Sequence, residues 1–376
     1  MKILQIIPNL NKGGAERLVL DICQEMNLRN GIQTKLVTLE ESNAYTELTS
    51  GIDHQTCFSY VLPSITSKTK ANVSGFSEIV TSFKPDVIHS HLFSAEMVSR
   101  YQLFPMVKYF THCHDNMIQL EKFSHKTILS KKNITNFYER NFILDRYKKS
   151  NTHFIAISKD TFSYLNKVLP NSLKPNVRLL ANAINFKKFN SVAHKRSIDE
   201  IRIVNTGSFV QKKNQLFLVE VMNCLNKMGV KAYVTFLGDG VEMQNVKRKT
   251  SEYGLDKFVS FPGSVYNVES YLKQANLYVH TATYEPFGLV LLEAMASGLP
   301  IISLDGKGNR DIVKDNWNGF FIPEQNPQLF AQKIISLMRD NEKYSYFSTN
   351  AVEFSKEFDI VNYVDCLLAI YKDASI

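Results

Sequence analysis

The sequence predicts an α/β protein made of two doubly wound, parallel-sheet domains facing each other across a cleft. Three observations predict it. The chain has 376 residues, too many for one ordinary compact domain and suited to two of medium size. Short apolar, β-branched runs alternate with segments of helical period in both halves, and such runs imply parallel strands covered on both faces. Residues 182–200, between the halves, are rich in Asn, Lys and Ser and lack apolar periodicity.

In the first half, residues 2–8 form the opening strand, followed by a glycine-containing turn and an amphipathic stretch over 15–26. Further strands are expected at 35–39, 86–89, 107–110 and 153–157. In the second half, strands at 201–205, 232–237, 258–261, 277–280 and 300–303 alternate with helices near 214–227, 241–253 and 288–297. The predicted boundaries are 1–182 for the first domain, 183–200 for a linker and 201–343 for the second domain. Residues 344–376 are helical in pattern and strongly aromatic, suited to capping the second domain or crossing back onto the first. Domains of this kind place ligand sites at the carboxyl ends of their strands.

Composition excludes several classes. Hydrophobic residues make up 44% and charged residues 21%, a globular profile, and neither disorder nor a sequence repeat fits it. The five cysteines, an odd count with no C-x-x-C pair, argue against a disulfide framework or structural zinc and for a reducing compartment. The first apolar run stops at Pro8 and Asn9, too short for a signal peptide. No stretch reaches the ~20 apolar residues that span a bilayer. The expected location is cytoplasmic, with contact limited to the inner face of the plasma membrane. A formal net charge of +8 favours an anionic partner without choosing among phosphate, membrane and nucleic acid.

The most informative segment is 284–296, Tyr-Glu-Pro-Phe-Gly-Leu-Val-Leu-Leu-Glu-Ala-Met-Ala. It follows a predicted strand and opens a predicted helix, with Pro286 near the first turn, where proline is tolerated. A helix start offers unpaired N–H groups and a positive dipole end, which suit a diphosphate. Gly288 would let the backbone come close to a ligand. Glu285 and Glu293 are eight residues apart, about 12 Å along a helix. That exceeds the ~5 Å carboxyl spacing of a retaining glycoside hydrolase and suits the two ends of one extended ligand.

The Glu285-(x7)-Glu293 pattern with its internal Phe-Gly resembles the signature of the GT-B retaining glycosyltransferases of family 4. Gly13-Gly14-Ala15-Glu16 resembles that family's amino-terminal glycine loop, and 207–214, Gly-Ser-Phe-Val-Gln-Lys-Lys-Asn, its G-R-x(4)-K-[GN] phosphate segment. Asn182-Ala183-Ile184-Asn185, Leu237-Gly238-Asp239-Gly240 and Ala296-Ser297-Gly298-Leu299-Pro300 stand in the family's order, so the resemblance covers nearly the whole chain. It implies GT-B architecture with two Rossmann-like domains.

The resemblance also implies roles. Glu293 would bind the ribose hydroxyls of a nucleotide sugar, and Glu285, with the backbone after Phe287, the sugar hydroxyls. Lys213 would neutralise the diphosphate, helped by the N–H groups of Gly288, Leu289 and Val290, while Gly14 would let its loop close on the same phosphates. Gly238 and Ser208 complete the donor-binding set. His114 would lie beside the transferred sugar, with His112 its rival, and His89 and His91 read as structural or acceptor-side. Glu285, Lys213 and His114 are the implied catalytic residues. Ser208 departs from the family's arginine, and serine cannot replace a bidentate diphosphate clamp; Arg310 or Lys212 are the compensating candidates. Ala183 and Asn185 replace the more usual Gly and Asp of their block.

No D-x-D triplet occurs, so the expectation is metal-independent, hexosyltransferase-type chemistry without a cofactor, the nucleotide sugar being the substrate. The implied donor is UDP-linked and the acceptor a growing, lipid-linked bacterial surface glycan. Other GT-B enzymes, a sugar phosphorylase or a sugar-nucleotide epimerase, and a catalytically silent nucleotide-sugar binder are the alternatives. Residues 121–150 carry eight Lys or Arg against three Asp or Glu. That segment is a solvated helical face or a patch for peripheral contact with anionic membrane. Nucleic acid is not an expected partner, because no recognised binding module accompanies the charge.

Overall fold

The computed structural model describes residues 1–63, 69–121, 131–190 and 200–375. Its contacts divide the chain into two units, one of Met1–Asn182 with Ile360–Ile376 and one of Ala183–Asp359.

The first unit contains strands β1 (Lys2–Ile7), β2 (Gln33–Thr38), β3 (Asp53–Thr56), β4 (Tyr60–Leu62), β5 (Lys70–Asn72), β6 (Val87–His91), β7 (Lys108–Cys113), β8 (His153–Ala156) and β9 (Val177–Leu179). Seven of them form one sheet in the order β3-β2-β1-β6-β7-β8-β9, with every pairing parallel. β4 and β5 form a separate antiparallel hairpin. The central strands are apolar because helices cover both faces; helix Gly14–Met26 buries Leu18, Val19, Leu20, Ile22, Cys23 and Met26 against the sheet. The strand order reverses at β1, between β2 and β6, so the turn after β1 and the carboxyl end of β6 lie at the switch point.

The second unit contains β10 (Ile201–Thr206), β11 (Ala232–Leu237), β12 (Val259–Gly263), β13 (Leu277–His280), β14 (Ile301–Leu304) and β15 (Gly319–Ile322). Their order is β12-β11-β10-β13-β14-β15, again all parallel. Here the order reverses at β10. That places the loops after β10 and β13 side by side.

The strands expected from apolar runs are present, most with ends shifted by one or two residues. β3, β9, β15 and the β4–β5 hairpin were not anticipated, since each is short and, apart from β15, largely exposed or polar. Two boundaries are corrected. Residues 183–190, assigned to a linker by composition, carry the helix Phe186–Phe189, capped by Asn185 accepting from Lys188 N. Its Phe189 is buried, and Ser297 Oγ donates to the Phe189 carbonyl, so tertiary contacts override a polar composition. Residues 191–199 lie outside the described residues. The block 344–376 splits: helix Asn341–Lys356 belongs to the second unit, while helix Ile360–Asp373 packs on helix Gly14–Met26 of the first.

The five cysteines are free. Among the described residues, no helix is long and apolar enough to cross a membrane. The basic segment 121–150 is described only in part; helix Lys131–Lys149 includes the i,i+4 pair of Lys149 with Asp145 at 2.8 Å.

Candidate functional site

The switch point of the second unit gathers the sequence-predicted donor residues other than Gly14. The loop after β10 runs through Gly207 and Ser208 to Lys213, and the loop after β13 runs from Thr281 to Gly288. Thr283 N donates to Lys212 O at 2.8 Å and Thr281 Oγ1 to Lys213 O at 3.0 Å, so the two loops are stitched together. Across that seam Lys213 Nζ donates to Glu285 Oε2. Side-chain exposure is 18% for Lys213 and 10% for Glu285, so the pair is largely dry. His280, the last residue of β13, lies beneath, its Nε2 3.2 Å from the same carboxylate oxygen but off the line of a formed hydrogen bond. Burial alone would raise the Glu285 carboxyl; Lys213 and then His280 more than reverse this and bring it down to about 2. Burial holds His280 below the ordinary imidazole range, opposed by the same carboxylate.

Glu285 is also clamped through its backbone, its N–H donating to Gly306 O at 2.7 Å and its carbonyl accepting from Gly308 N at 3.0 Å. The helix beyond it is shorter than the sequence suggests. It runs Leu289–Ala296, with Gly288 as N-cap at φ 108° and no side-chain cap. Pro286 therefore stands ahead of the helix, and the about 12 Å separation reckoned along a helix does not describe Glu285 and Glu293. Only Glu293 is helical, half-buried in the second turn. The N-terminal N–H groups of this helix, from Leu289 and Val290, are the orphan donors a helix start leaves. Phe287 is buried, its ring 6.1 Å from that of Phe358, so it anchors the loop in the core.

Gly238 earns its glycine from packing. A Cβ there would sit 2.1 Å from the Gly207 carbonyl oxygen, at a φ of 137°. The loops after β10 and β11 can meet only without it. Ser208 is exposed, and its carbonyl accepts from Gln215 Nε2 at 3.0 Å. Arg310, a suggested substitute for the missing arginine, turns its guanidinium onto Asp305, with Nε 2.9 Å from Oδ1. Lys212 Nζ lies 5.4 Å over the Tyr284 ring.

In the first unit, Gly14 is exposed at the first position of its helix, directly after the β1 turn. His112 and His114 separate clearly. His112 lies within β7, paired with His91 of β6, fully buried, its Nε2 3.0 Å from Asn182 Oδ1. Burial lowers it to about 4, with the Asn182 contact opposing. His114 stands just past the strand and is half-buried. His89 and His91 are buried on the same face of the sheet. One ring nitrogen each of His89, His91 and His112 lies within 4.8 Å of the others. A tetrahedral zinc needs its nitrogen ligands about 3.3 Å apart. Four of the trio's six nitrogens already make hydrogen bonds, and the rings pack at 4.5, 5.2 and 5.0 Å between centroids. The trio is a packed, hydrogen-bonded layer.

Residues 186–354 match the family "Glycosyl transferases group 1" and residues 12–188 match "Glycosyltransferase Family 4". The chain belongs to the group 1, family 4 glycosyltransferases. It is 27% identical over 168 residues to the Bacillus subtilis poly(glycerol-phosphate) alpha-glucosyltransferase, covering 44% of this chain and 25% of that one. It is 30% identical over 139 residues to the Rhizobium meliloti lipopolysaccharide core biosynthesis glycosyltransferase LpsE, covering 37% and 40%. The match thus spans less than half the length of either relative. The crystal structure of Anabaena HepE in complex with UDP and glucose superposes with a TM-score of 0.79 at 18% identity, over 100% of both chains. The two units have the GT-B fold.

Two features of the site escaped the sequence. His280 ends a buried apolar strand, Leu-Tyr-Val-His, and a polar residue there was a usable signal. Tyr371 and Gln5, which hold the histidine layer, gave none, since 366 residues separate them.

Proposed function

We propose that this chain is a retaining glycosyltransferase that moves a sugar from a UDP-linked donor to a hydroxyl of a growing, lipid-linked bacterial surface glycan. The observation that carries the proposal is the ionised Glu285 beside Lys213, at the switch point of the second unit and ahead of an uncapped helix start. That is the equipment for one ligand carrying both hydroxyls and a diphosphate.

On this reading the diphosphate draws Lys213 from Glu285 and meets the N–H groups of Leu289 and Val290. Glu285, released, accepts from the sugar hydroxyls, and Glu293 from the ribose. As the bond to the diphosphate breaks, oxocarbenium character grows on the sugar. The acceptor hydroxyl attacks from the face the diphosphate leaves, and a leaving phosphate oxygen takes its proton. Positive groups act most strongly here because charge grows on the leaving group. Lysine and helix start supply that charge without a metal, in keeping with the absence of a D-x-D triplet. The UDP held by Anabaena HepE supports the donor class, and the glucosyltransferase and lipopolysaccharide relatives support the acceptor class. The alpha linkage in the glucosyltransferase's name supports retention for an alpha-linked donor. The charge of segment 121–150 supports peripheral contact with anionic lipid, which vesicle co-sedimentation tests.

The deciding assay is release of free nucleotide from UDP-, GDP- and ADP-sugars in the presence of EDTA. Slow turnover of a UDP-sugar that survives EDTA is expected, and Glu285→Gln should abolish it while nucleotide still raises Tm. Silence across the panel, with no thermal stabilisation by any nucleotide, overturns the reading. The exposed Ser208 favours one rival, a silent nucleotide-sugar binder, which would show stabilisation without release.

A further inference from the structure

We propose that Gln5 and His91 act as positioning residues that fix the tautomer of His114, leaving its Nδ1 as a bare hydrogen-bond acceptor. The inference rests on a continuous chain of hydrogen bonds on one face of the first unit's sheet. Gln5 of β1 stands in register with His89 of β6, and His91 of β6 with His112 of β7. His114 follows two residues further on, so these side chains share one face.

The direction of each bond follows from which atoms can donate. Gln5 Nε2 lies 3.3 Å from Tyr371 Oη and 3.9 Å from Met26 Sδ, both able to accept. That orients the amide and turns Gln5 Oε1 toward His91 Nε2 at 2.8 Å. An amide oxygen only accepts, so the His91 proton is on Nε2. Burial, together with its histidine neighbours, holds His91 neutral, so it has no second proton and Nδ1 is bare. His91 Nδ1 lies 2.9 Å from His114 Nε2, which must therefore be the donor. Burial and His112 hold His114 neutral as well, leaving Nδ1 unprotonated. Tyr371 accepts from Gln5 and donates to His89 Nδ1 at 2.5 Å. Each link donates inward, from the half-buried His114 to the fully buried His89.

Resting on the transferase reading, this makes His114 an acceptor for a ligand hydroxyl and excludes it as a donor to phosphate. With the Gln5 amide so oriented, the alternative His114 tautomer would cost one bond, since the single His91 proton could then go to Gln5 Oε1 or to His114 Nε2 but not to both. The ring is also held in place, its centroid 4.3 Å from that of His112.

Two-bond proton–nitrogen correlation of the histidine rings, on the substrate-free protein at neutral pH, reads the tautomer directly. His114 is expected at the limiting shifts of a single Nε2–H form. Gln5→Leu, which touches no atom of His114, should move those shifts toward the average of both tautomers, and His91→Phe should do the same. His91→Asn, whose Oδ1 replaces Nδ1 as acceptor, should restore the single form. An Nδ1–H or doubly protonated His114 in the unsubstituted protein overturns the proposal, as does a Gln5→Leu spectrum unchanged at His114. Because no substrate is present, failure of glycosyl transfer would leave this result standing, and the converse holds too.

Discussion

Lys213 and Glu285, 72 residues apart in the chain, meet in an ion pair that joins the loops after β10 and β13. Both belong to the proposed donor set, and each neutralises the other. Removing one partner leaves an uncompensated, largely buried charge, which costs about 3–5 kcal/mol for a fully buried pair and less where water reaches it. Lys213→Met should therefore lower Tm more than the double variant Lys213→Met with Glu285→Gln. Additive losses in a thermal double-mutant cycle would contradict the coupling.

The same pair sets a pH window. The Glu285 carboxyl is held at about 2, below its ordinary 4.5, so the folded state favours the ionised form. Its stabilising contribution is complete above the ordinary value and is lost as pH falls toward the folded one. The Tm gap between the unsubstituted protein and Lys213→Met should be widest at neutral pH and shrink as pH falls through the acid range, since without Lys213 burial raises the carboxyl of the variant. A gap that grows on acidification would contradict the assignment.

Glu96 behaves oppositely. It is fully buried beside Arg100, accepts from Tyr147 and Thr111, and keeps Oε1 unpartnered. Burial, outweighing Arg100, pushes it up to about 7 from 4.5. The folded state thus binds the proton more tightly, and stability falls as pH rises through that interval, by about 3 kcal/mol at most. Glu96→Gln should raise Tm relative to the unsubstituted protein at pH 8 and lose that advantage near pH 5. An advantage independent of pH would sink the idea.

Gly238 and Gly254 separate crowding from backbone conformation. Both have positive φ, 137° and 66°, but an added Cβ meets the Gly207 carbonyl oxygen at 2.1 Å in one case and open space in the other. Gly254→Ala should cost about 1 kcal/mol. Gly238→Ala should cost several times more and disturb the loop that carries Lys213. Equal Tm losses would show that packing at Gly207 is not the constraint.

His280 Nε2 lies 3.2 Å from the Glu285 carboxylate, so His280 is expected to steady that carboxylate rather than to touch the donor. His280→Leu should leave the carboxylate with Lys213 alone and free to shift. Nucleotide release should drop about 10-fold through misplacement of the carboxylate, with KM nearly unchanged. A KM effect of the same size with kcat intact would instead place His280 against the ligand.

The fold was legible locally. Alternating apolar strands and amphipathic helices set the α/β class, and Gly207 to Asn214 and Glu285 to Glu293 marked the candidate donor loops, because period and turn chemistry act over a few residues. The short strands β3, β9 and β15 were not, since pairing with a neighbour rather than composition makes them strands. Residues 183–190 have the composition of a linker, yet Phe189 is buried. The role of Lys213 shows the same division. Its position in a phosphate-type segment was visible in the chain, but its engagement with Glu285 arises only where the strand order reverses at β10. Likewise His114 was readable as a candidate, while its tautomer depends on Gln5 and His91, brought to it by sheet register. What the sequence determined by itself was the class of each segment, a matter of short-range periodicity and turn preference. What only the tertiary structure decided was the charge state and hydrogen-bond direction of each site residue, because burial and partners distant in the chain set both.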